Sequence, residues 1–577
     1  MKTTFLFGSS VAIVAAAVLG FGAAESIRAD APTDGMTNAP ARRMTNDVAN
    51  SMTNALAPLG TEMAHELVTS GVTNGLTPLG AGLKAVTTRE CIERALAQNL
   101  DIKLEKINPT IQQWGVVNAQ GVYDPVLSSQ FQYNDNHQPL DPSTATSLGM
   151  NSLETKQLQA QLGLNGKLPT GATYNFTYND TRALGTQNPN GSLVTNFVYT
   201  GGAVAQLTQP LLKNSGFGVN SAAIRVARKN KQIEQETFVL KVMTIVTSVE
   251  NAYYELVYAI ENHKAVIEDF NRAKQLLTEN RRRVDVGMMS PLDVVQAEAG
   301  VAEREEAVIT AAQTIKNNEN ALKRLISQDV MEFRGMGLLP VDYPGVQAVE
   351  LDVSRSIRTA LEKRPEYIQA KQQCDLRDIV VKYNRNQLWP QVDLVGSYGF
   401  NARSPYGIPT PTGGPFPFPP STGGTFSDFL GSLRERDNPT WGVGVVLSFP
   451  LGNRQARATY HISRLQSMQA VINLKATEQN IIVAVDNAVA QVQTNLKRVD
   501  ATRAASRLGL ESLNAEEKKL RAGTSTSFLV LQAQSQLAAA KSSEIRARAD
   551  YDESLANLAL AEGTTLEKNQ IVLKEDD

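Results

Sequence analysis

Two stretches of the chain carry apolar residues in an unbroken 3-4 rhythm. Val239, Val242, Val246, Val249, Tyr253, Leu256 and Ile260 form the first; Ile482, Val485, Val489, Val492, Leu496 and Val499 form the second. This spacing is the seam of a coiled coil. Around the first seam the helical pattern runs from about residue 218 to 285. At about 1.5 Å per residue, such a helix is about 100 Å long. Few compact enzymes need a rod of that length; a molecule that bridges a distance does.

The two seams belong to a duplication. Ala95-Leu96 through Tyr133 aligns without a gap to Ala360-Leu361 through Tyr398. Gly287 through Ala297 aligns to Gly523 through Ala533, and Gln209-Pro210-Leu211 to Phe449-Pro450-Leu451. Matches in the same order with consistent offsets point to two copies of one unit. Each copy reads as a helix (86–121 in the first), strands opened by a proline (Pro125, Pro390), the long helix, a glycine turn and a further helix. The second helix after the turn at Gly287 runs from about 291 to 327 in the first copy.

The strand segments alternate. Ala172, Tyr174, Phe176 and Tyr178 interleave with Thr173, Asn175, Thr177 and Asn179. Trp441, Val443, Val445 and Leu447 interleave with Gly442, Gly444, Val446 and Ser448, and a Gln-rich pattern fills 157–165. One apolar and one polar face over about ten residues suits a membrane barrel, and equally a strand of a soluble sandwich.

The ends and the composition narrow the setting. Lys2 followed by an apolar run from Phe5 to Gly22 reads as a secretory signal peptide over 1–24, cut after Ala24. No later stretch approaches the roughly 20 apolar residues of a spanning helix. Any membrane passage must therefore use strands closed into a barrel. Residues 25–84 are rich in Thr, Asn, Ala and Pro, with Met-Thr-Asn at 36, 44 and 52, and read as an arm without a packed core. Of 577 residues, 42% are hydrophobic and 20% charged, which excludes wholesale disorder. A net charge of −2 argues against a nucleic-acid binder. Two cysteines, Cys91 and Cys374, and four scattered histidines give no zinc spacing and no disulfide framework. Neither a nucleophile elbow nor a phosphate loop is present, so the chain reads as no enzyme, without cofactor or metal.

The signal peptide, the twofold helix–strand–long-helix–helix order, the prolines at the strand joints and the Gly-x-x-(Ser/Thr) turns followed by Val-x-Gln-Ala resemble the TolC-like outer-membrane efflux proteins. The resemblance covers about 86–565 and divides the chain into repeat 1 (85–334), repeat 2 (345–565) and a C-terminal tail (566–577). It implies a mainly α fold with membrane β: a homotrimer whose strands share one transmembrane β-barrel in outer-membrane lipid, and whose coiled-coil helices form a periplasmic tunnel. It implies passive conduction in a tripartite efflux or type I secretion system, with a periplasmic adaptor and an inner-membrane transporter as partners. The family places two strands in each repeat. Repeat 2 fits, at 391–401 and 440–449. Repeat 1 offers four, at 126–134, 156–165, 171–180 and 196–208. This leaves an 18-stranded wall, or a 12-stranded wall carrying 156–180 as an outer hairpin.

The resemblance also implies the sites. Gly287, Ser290, Pro291, Gly523, Thr526 and Ser527 stand at the tips that would contact the adaptor. Asp293, Gln296, Leu529 and Gln532 stand where the constriction would lie, Leu529 forming a hydrophobic ring that gates by excluding water. Asp293 reads equally as a solvated charge at a helix start, and Arg281-Arg282-Arg283 as solvated helix-face charges or as partners of Asp293 or the adaptor. A secreted or periplasmic coiled-coil scaffold or adhesin without a pore is the rival reading; it accounts for the heptads but not for the matched strands.

Overall fold

The computed structural model describes residues 82–573, apart from 149–151, 188–193, 343–344, 347, 405–423 and 437. The signal peptide and nearly all of the 25–84 arm lie outside the described residues. The chain begins with β1 (Leu83–Val86), α1 (Thr88–Gln98), α2 (Leu100–Gln120) and β2 (Val126–Pro139). There follow α3 (Pro142–Leu148), β3 (Ser152–Lys167), β4 (Thr173–Gln187), β5 (Val194–Pro210) and the short α4 (Phe217–Asn220). The first hairpin is α5 (Ala222–Asp285) and α6 (Pro291–Ile326). β6 (Gly337–Pro340), α7 (Val353–Lys363), α8 (Pro365–Asn386), β7 (Gln391–Arg403), α9 (Phe426–Glu435) and β8 (Pro439–Ser448) come next. The second hairpin, α10 (Arg454–Arg521) and α11 (Ser527–Glu562), leads to α12 (Thr565–Lys568).

The bounds of α1 and α7, and of α6 and α11, match to the residue across the duplication. α1 and α2 stand 265 positions before α7 and α8, whereas α6 stands 236 positions before α11. Repeat 1 therefore holds 29 more residues between helix and hairpin, about one extra pair of strands. That pair is β3 and β4. They stand inside a single sheet ordered β2-β3-β4-β5-β7-β8, antiparallel throughout. The strands are longer than their alternation suggested, because the ladder continues past the apolar band.

Four expectations need correction. The expected helix 86–121 breaks at Asn99, whose backbone is extended (ψ 128). The Asn99 side chain accepts from the amides of Asp101 (2.8 Å) and Ile102 (3.2 Å) and donates to the carbonyl of Leu325 (2.9 Å). It thus caps α2 and ties the junction to the end of α6. The stretch from Gly335, left between repeat 1 and repeat 2 as a connection, contains β6, which pairs in parallel with β1. Leu83 and Lys84, read as part of the arm, belong to that strand. Finally, the segment 403–438, left as the connection between the strands at 391–401 and 440–449, contains helix α9.

The seams are the core. Val242, Val246, Val249, Tyr253 and Leu256 of α5 are completely buried, and Val485, Val489, Val492 and Val499 of α10 nearly so. In the second seam Ile481 is buried where Ile482 was expected to be; Ile482 is half-buried. α5 is covered by α2 over one half and α6 over the other, and α10 by α8 and α11 in the same manner. Tyr253 fixes the middle: its hydroxyl donates to the Val86 carbonyl (3.2 Å) and accepts from the Asp342 amide (3.0 Å). Here the β1–β6 pair meets the stem. No helix among the described residues is long and apolar enough to cross a membrane.

Candidate functional site

Two ends of the molecule carry its functional geometry: the tips of the helical hairpins and the sheet. Each tip is dictated locally. Gly287 (φ 73) and Gly523 (φ 75) occupy the left-handed region that glycine adopts without steric cost. At the first tip the amide of Met288 donates to the Arg283 carbonyl (2.8 Å); at the second Thr524 donates to Lys519 (2.9 Å). Both are the reverse turn that terminates a helix at a C′ glycine. Ser290 then caps α6 in a reciprocal box with Asp293, whose carboxylate accepts from the Ser290 amide (3.2 Å). Pro291 follows at the first helical position, where its missing N–H costs nothing. Thr526 caps α11 through the Leu529 amide (3.4 Å).

The tips are bound to each other. Ser527 is completely buried and its hydroxyl accepts from Asn280 Nδ2 at 2.5 Å. It holds the hairpins together and is not at the surface. Arg283 donates to the carbonyl of Leu520 (3.1 Å), so it is not a solvated charge, and Arg281 pairs with Glu298 at 2.7 Å instead of Asp293. Leu276, Leu513, Leu520, Val530 and Leu537 form a small apolar core beneath, with Met289 against it. Gln296, Leu529 and Gln532 remain exposed, and Asp293 is half-buried in its capping box. Met288 is 81% exposed and Leu292 64%, an apolar surface that a solvated tip would not carry. Asn280 and Met288 were missed by the sequence reading, which named Arg283 but not its partner, the Leu520 carbonyl. Their signal is weak, because an Asn or Arg on a polar helix face looks solvated until the second hairpin is placed.

Above the tips, charged groups are partly buried where helices of the two repeats meet. Arg546 of α11 clasps Glu255 of α5 with bonds of 2.8 and 2.9 Å and also pairs with Asp550 at 2.6 Å. Burial, then the neighbouring Glu255, pushes the Glu553 carboxyl up to about 7, against the pull of Arg546. Asp269 and Arg304 form a buried pair at 2.7 Å between α5 and α6. Burial raises the Asp269 carboxyl and Arg304 opposes it. His263 is buried with neither ring nitrogen bonded, and desolvation lowers its pKa. Burial pushes the Cys91 thiol up to about 12, so it is inert.

At the other end, strand register sorts the sheet into two faces. One face aligns Leu127 with Leu164, Leu164 with Phe176, Phe176 with Ala205, Ala205 with Tyr398 and Tyr398 with Trp441. Its side chains stand exposed: Trp441 by 74%, Val443 by 72% and Leu447 by 70%. The opposite face aligns Gln130 with Gln161, Gln161 with Asn179 and Asn175 with Gln206. A face of Leu, Val, Phe and Trp exposed on this scale needs a non-aqueous environment. Helix α9 lies against the far end of the apolar face, with Phe426 on Tyr199 (ring centroids 5.6 Å) and Phe429 completely buried. Its capping box, Thr425 and Asp428, was a legible start signal.

A sheet apolar on one face and lined with amides on the other, carried on a stem of paired long helices, defines an outer-membrane channel protein. The chain belongs to the outer membrane efflux protein family, whose pattern matches residues 151–328 and 356–564. It is 21% identical over 427 residues to outer membrane protein TolC of Salmonella enteritidis, covering 72% of this chain and 77% of that protein. Among solved structures, the CmeC outer membrane channel of Campylobacter jejuni superposes with a TM-score of 0.58 at 16% identity, covering 83% of this chain and 86% of that one. The outer membrane protein VceC of Vibrio cholerae gives 0.58 at 16% identity, covering 82% and 96%. These two likenesses concern the fold.

Proposed function

We propose that this outer-membrane efflux protein works as a closed ring of three copies: a β-barrel in the membrane continuous with a helical tunnel in the periplasm. Cargo passes through it passively from a periplasmic adaptor and an inner-membrane transporter. The observation that carries this reading is one missing neighbour, repeated at every level. α8 is flanked by both long helices, α5 and α10, whereas its repeat equivalent α2 packs on α5 alone. α2 accordingly leaves Leu104, Ile107, Ile111 and Trp114 exposed by 56–67%, and α10 leaves Ile462, Leu465, Met468 and Ile472 exposed by 54–64%. The sheet edges β2 and β8 each have one hydrogen-bonded neighbour among the described residues.

The internal repeat supplies the register of the seam. Within one chain, α8 meets α5 through Asp375–Lys229 and Gln369–Thr237. Carrying those contacts across by the repeat offsets sets Leu104, Ile107, Ile111 and Trp114 of one copy against Ile472, Met468, Leu465 and Ile462 of the next. By the strand alignment at Pro210 and Pro450, the β5–β7 pair, Ala205 opposite Tyr398, becomes Val445 opposite Tyr133 of the next copy. Every unpartnered apolar residue in both sets finds a partner. Such a head-to-tail contact closes into a ring, and three copies of six strands give eighteen in the wall. A wall closed in this way has no open edge.

The tips would then form the periplasmic entrance. Gly287, Ser290, Pro291, Gly523 and Thr526 shape the turns, and Met288 and Leu292 offer the apolar surface an adaptor would cover. Leu529 and Gln532 would ring the axis as a constriction that excludes water, with Asp293 and Gln296 beside it. The test is a disulfide trap in a Cys374→Ser background, with Ile107→Cys and Met468→Cys in one chain. Oxidation should yield covalent dimers and trimers on a denaturing gel. Monomer alone, with the same protein still extracted only by detergent, would overturn the ring.

A further inference from the structure

We propose that the apolar face of the sheet carries a built lipid site: a groove along β5 that seats one acyl chain of the outer leaflet, with an anionic, phosphate-bearing headgroup at its outer end. This rests on reading that face as the membrane side of a barrel and deepens it by naming the lipid. Most of the face is bulky. β3 presents Leu158, Leu162 and Leu164, and β8 presents Trp441, Val443 and Val445. β5 differs. Between Leu207 and Tyr199 its residues on this face are Ala205, Ala203 and Gly201. β4 raises Phe176 and Tyr178 along one side of them, and β7 raises Tyr398 and Phe400 along the other. Small side chains thus form a floor between two aromatic rails, set two strand spacings or about 10 Å apart. That width admits one hydrocarbon chain.

Toward the stem the floor opens into a cavity of about 500 Å³, whose lining includes Tyr174, Phe176, Ala205, Gly396, Tyr398 and Trp441. A Cβ placed on Gly396 would meet no atom within 4 Å, so the space is open to a guest. Height decides which leaflet supplies it. On β7 the apolar face runs from Val392, beside the stem, to Ala402, so Gly396 lies near mid-membrane. From Gly396 to Ala402 a strand tilted about 40° rises about 15 Å, one half of a hydrocarbon layer about 30 Å thick. Helix α9 closes the groove at that upper level, with Phe426 packed on Tyr199 and Phe429 completely buried. Two guanidinium groups stand there. Arg182, opposite Tyr199 in the ladder, lies 5.8 Å from the centre of its ring, and Arg436, which ends α9, lies 5.5 Å from that of Phe400. Arg436 is exposed and has no ion-pair partner among the described residues. Asp180, two residues before Arg182 on the same face, has a carboxylate oxygen that is buried and without a hydrogen-bond partner, which leaves it to accept a headgroup hydroxyl. Cations held on aromatic rings at the membrane surface meet a phosphate in charge-assisted hydrogen bonds. Apolar space below and positive charge above fit the two ends of a single amphiphile.

Trp441 lines the cavity and reports on its guest. The full-length protein is reconstituted in phosphatidylcholine vesicles that contain rising fractions of either phosphatidylglycerol or phosphatidylcholine with dibrominated acyl chains, which quench tryptophan on contact. The part of the quenching that Trp441→Phe removes is the signal. Brominated phosphatidylglycerol should reach half-maximal quenching at a mole fraction at least about fivefold lower than brominated phosphatidylcholine, and Arg436→Gln should reduce that preference about fivefold. Gly396→Leu, whose added side chain enters open space, should make the two lipids quench alike. Equal titrations of the unaltered protein by the two lipids, or a preference undiminished by either substitution, would overturn the groove while leaving the ring intact. No quenching of Trp441 by either lipid would instead overturn the membrane barrel itself.

Discussion

The stem and the sheet put the same residue types to opposite use. In the stem, Val246, Val249 and Leu256 lose all contact with solvent; in the sheet, Val443, Val445 and Leu447 are 65–72% exposed. The stem repeats its apolar residues every 3.5 positions and hides them in a seam between helices. The sheet repeats its larger apolar residues every second position and turns most of them to one face. Exposure of that kind is stable only where the medium is itself apolar, so one chain has been fitted to two solvents. The contrast also separates what each mutation can do. Loss of volume damages the stem, whereas gain of charge damages the sheet.

The sharpest test of the contrast pairs two large aromatic residues. Tyr253→Ala removes a completely buried ring, leaves the Asp342 amide unpaired and takes from the Val86 carbonyl one of its two donors, the other being the Val341 amide. It should cost about 3–5 kcal/mol, read as a lower guanidinium midpoint for loss of helical circular dichroism. Trp441→Ala, at the exposed face, should leave that midpoint in place. Equal losses would erase the distinction between the regions. Charge comes next. Val445→Arg should destabilise insertion into a bilayer by about 2–4 kcal/mol in equilibrium refolding, while Gln159→Arg on the polar face should change it little. The opposite ranking would reverse the two faces.

Smaller effects sharpen the stem side. Asn280→Ala leaves the buried Ser527 hydroxyl without a partner and should cost about 1–3 kcal/mol, seen as faster proteolysis at the hairpin tips. Unchanged cleavage would mean that the tips are held by their apolar core alone. The least effect is a pH dependence. The Glu553 carboxyl is raised from 4.5 to about 7, so the folded protein binds that proton more tightly than the unfolded chain. Its contribution is full below pH 4.5 and is lost as pH rises through about 7. Glu553→Gln should flatten this part of the stability–pH curve; an unchanged slope would place the titration elsewhere.

Much of the stem was legible because its signals are local. Gly287 and Gly523 marked the turns, Pro291 a helix start, and the heptads the buried stripe. The break at Asn99 was not legible, since an Asn after a run of helix formers reads as a tolerated interior residue until Leu325 is brought beside it. The four-residue strands β1 and β6 are too short to carry a pattern, and their paired residues lie 254 positions apart. At the tips, sequence located Ser527 but not its direction. A helix position faces inward or outward according to what packs on it, and that depended on Asn280 of the other hairpin.

The sequence by itself determined the periods: 3-4 along the stem, two along the strands, and a duplicated order that differs by one hairpin. These follow from covalent geometry, because backbone hydrogen bonding fixes where every side chain points relative to its own element. Only the tertiary structure decided which elements became neighbours. Tyr253 and Ile315 share the core of repeat 1, whereas their repeat equivalents in the other core are Val489 and Tyr551, the large and small partners exchanged. Neither period nor offset encodes that exchange. It is a matter of filling one shared volume at close packing, a condition on two helices together that neither helix states alone.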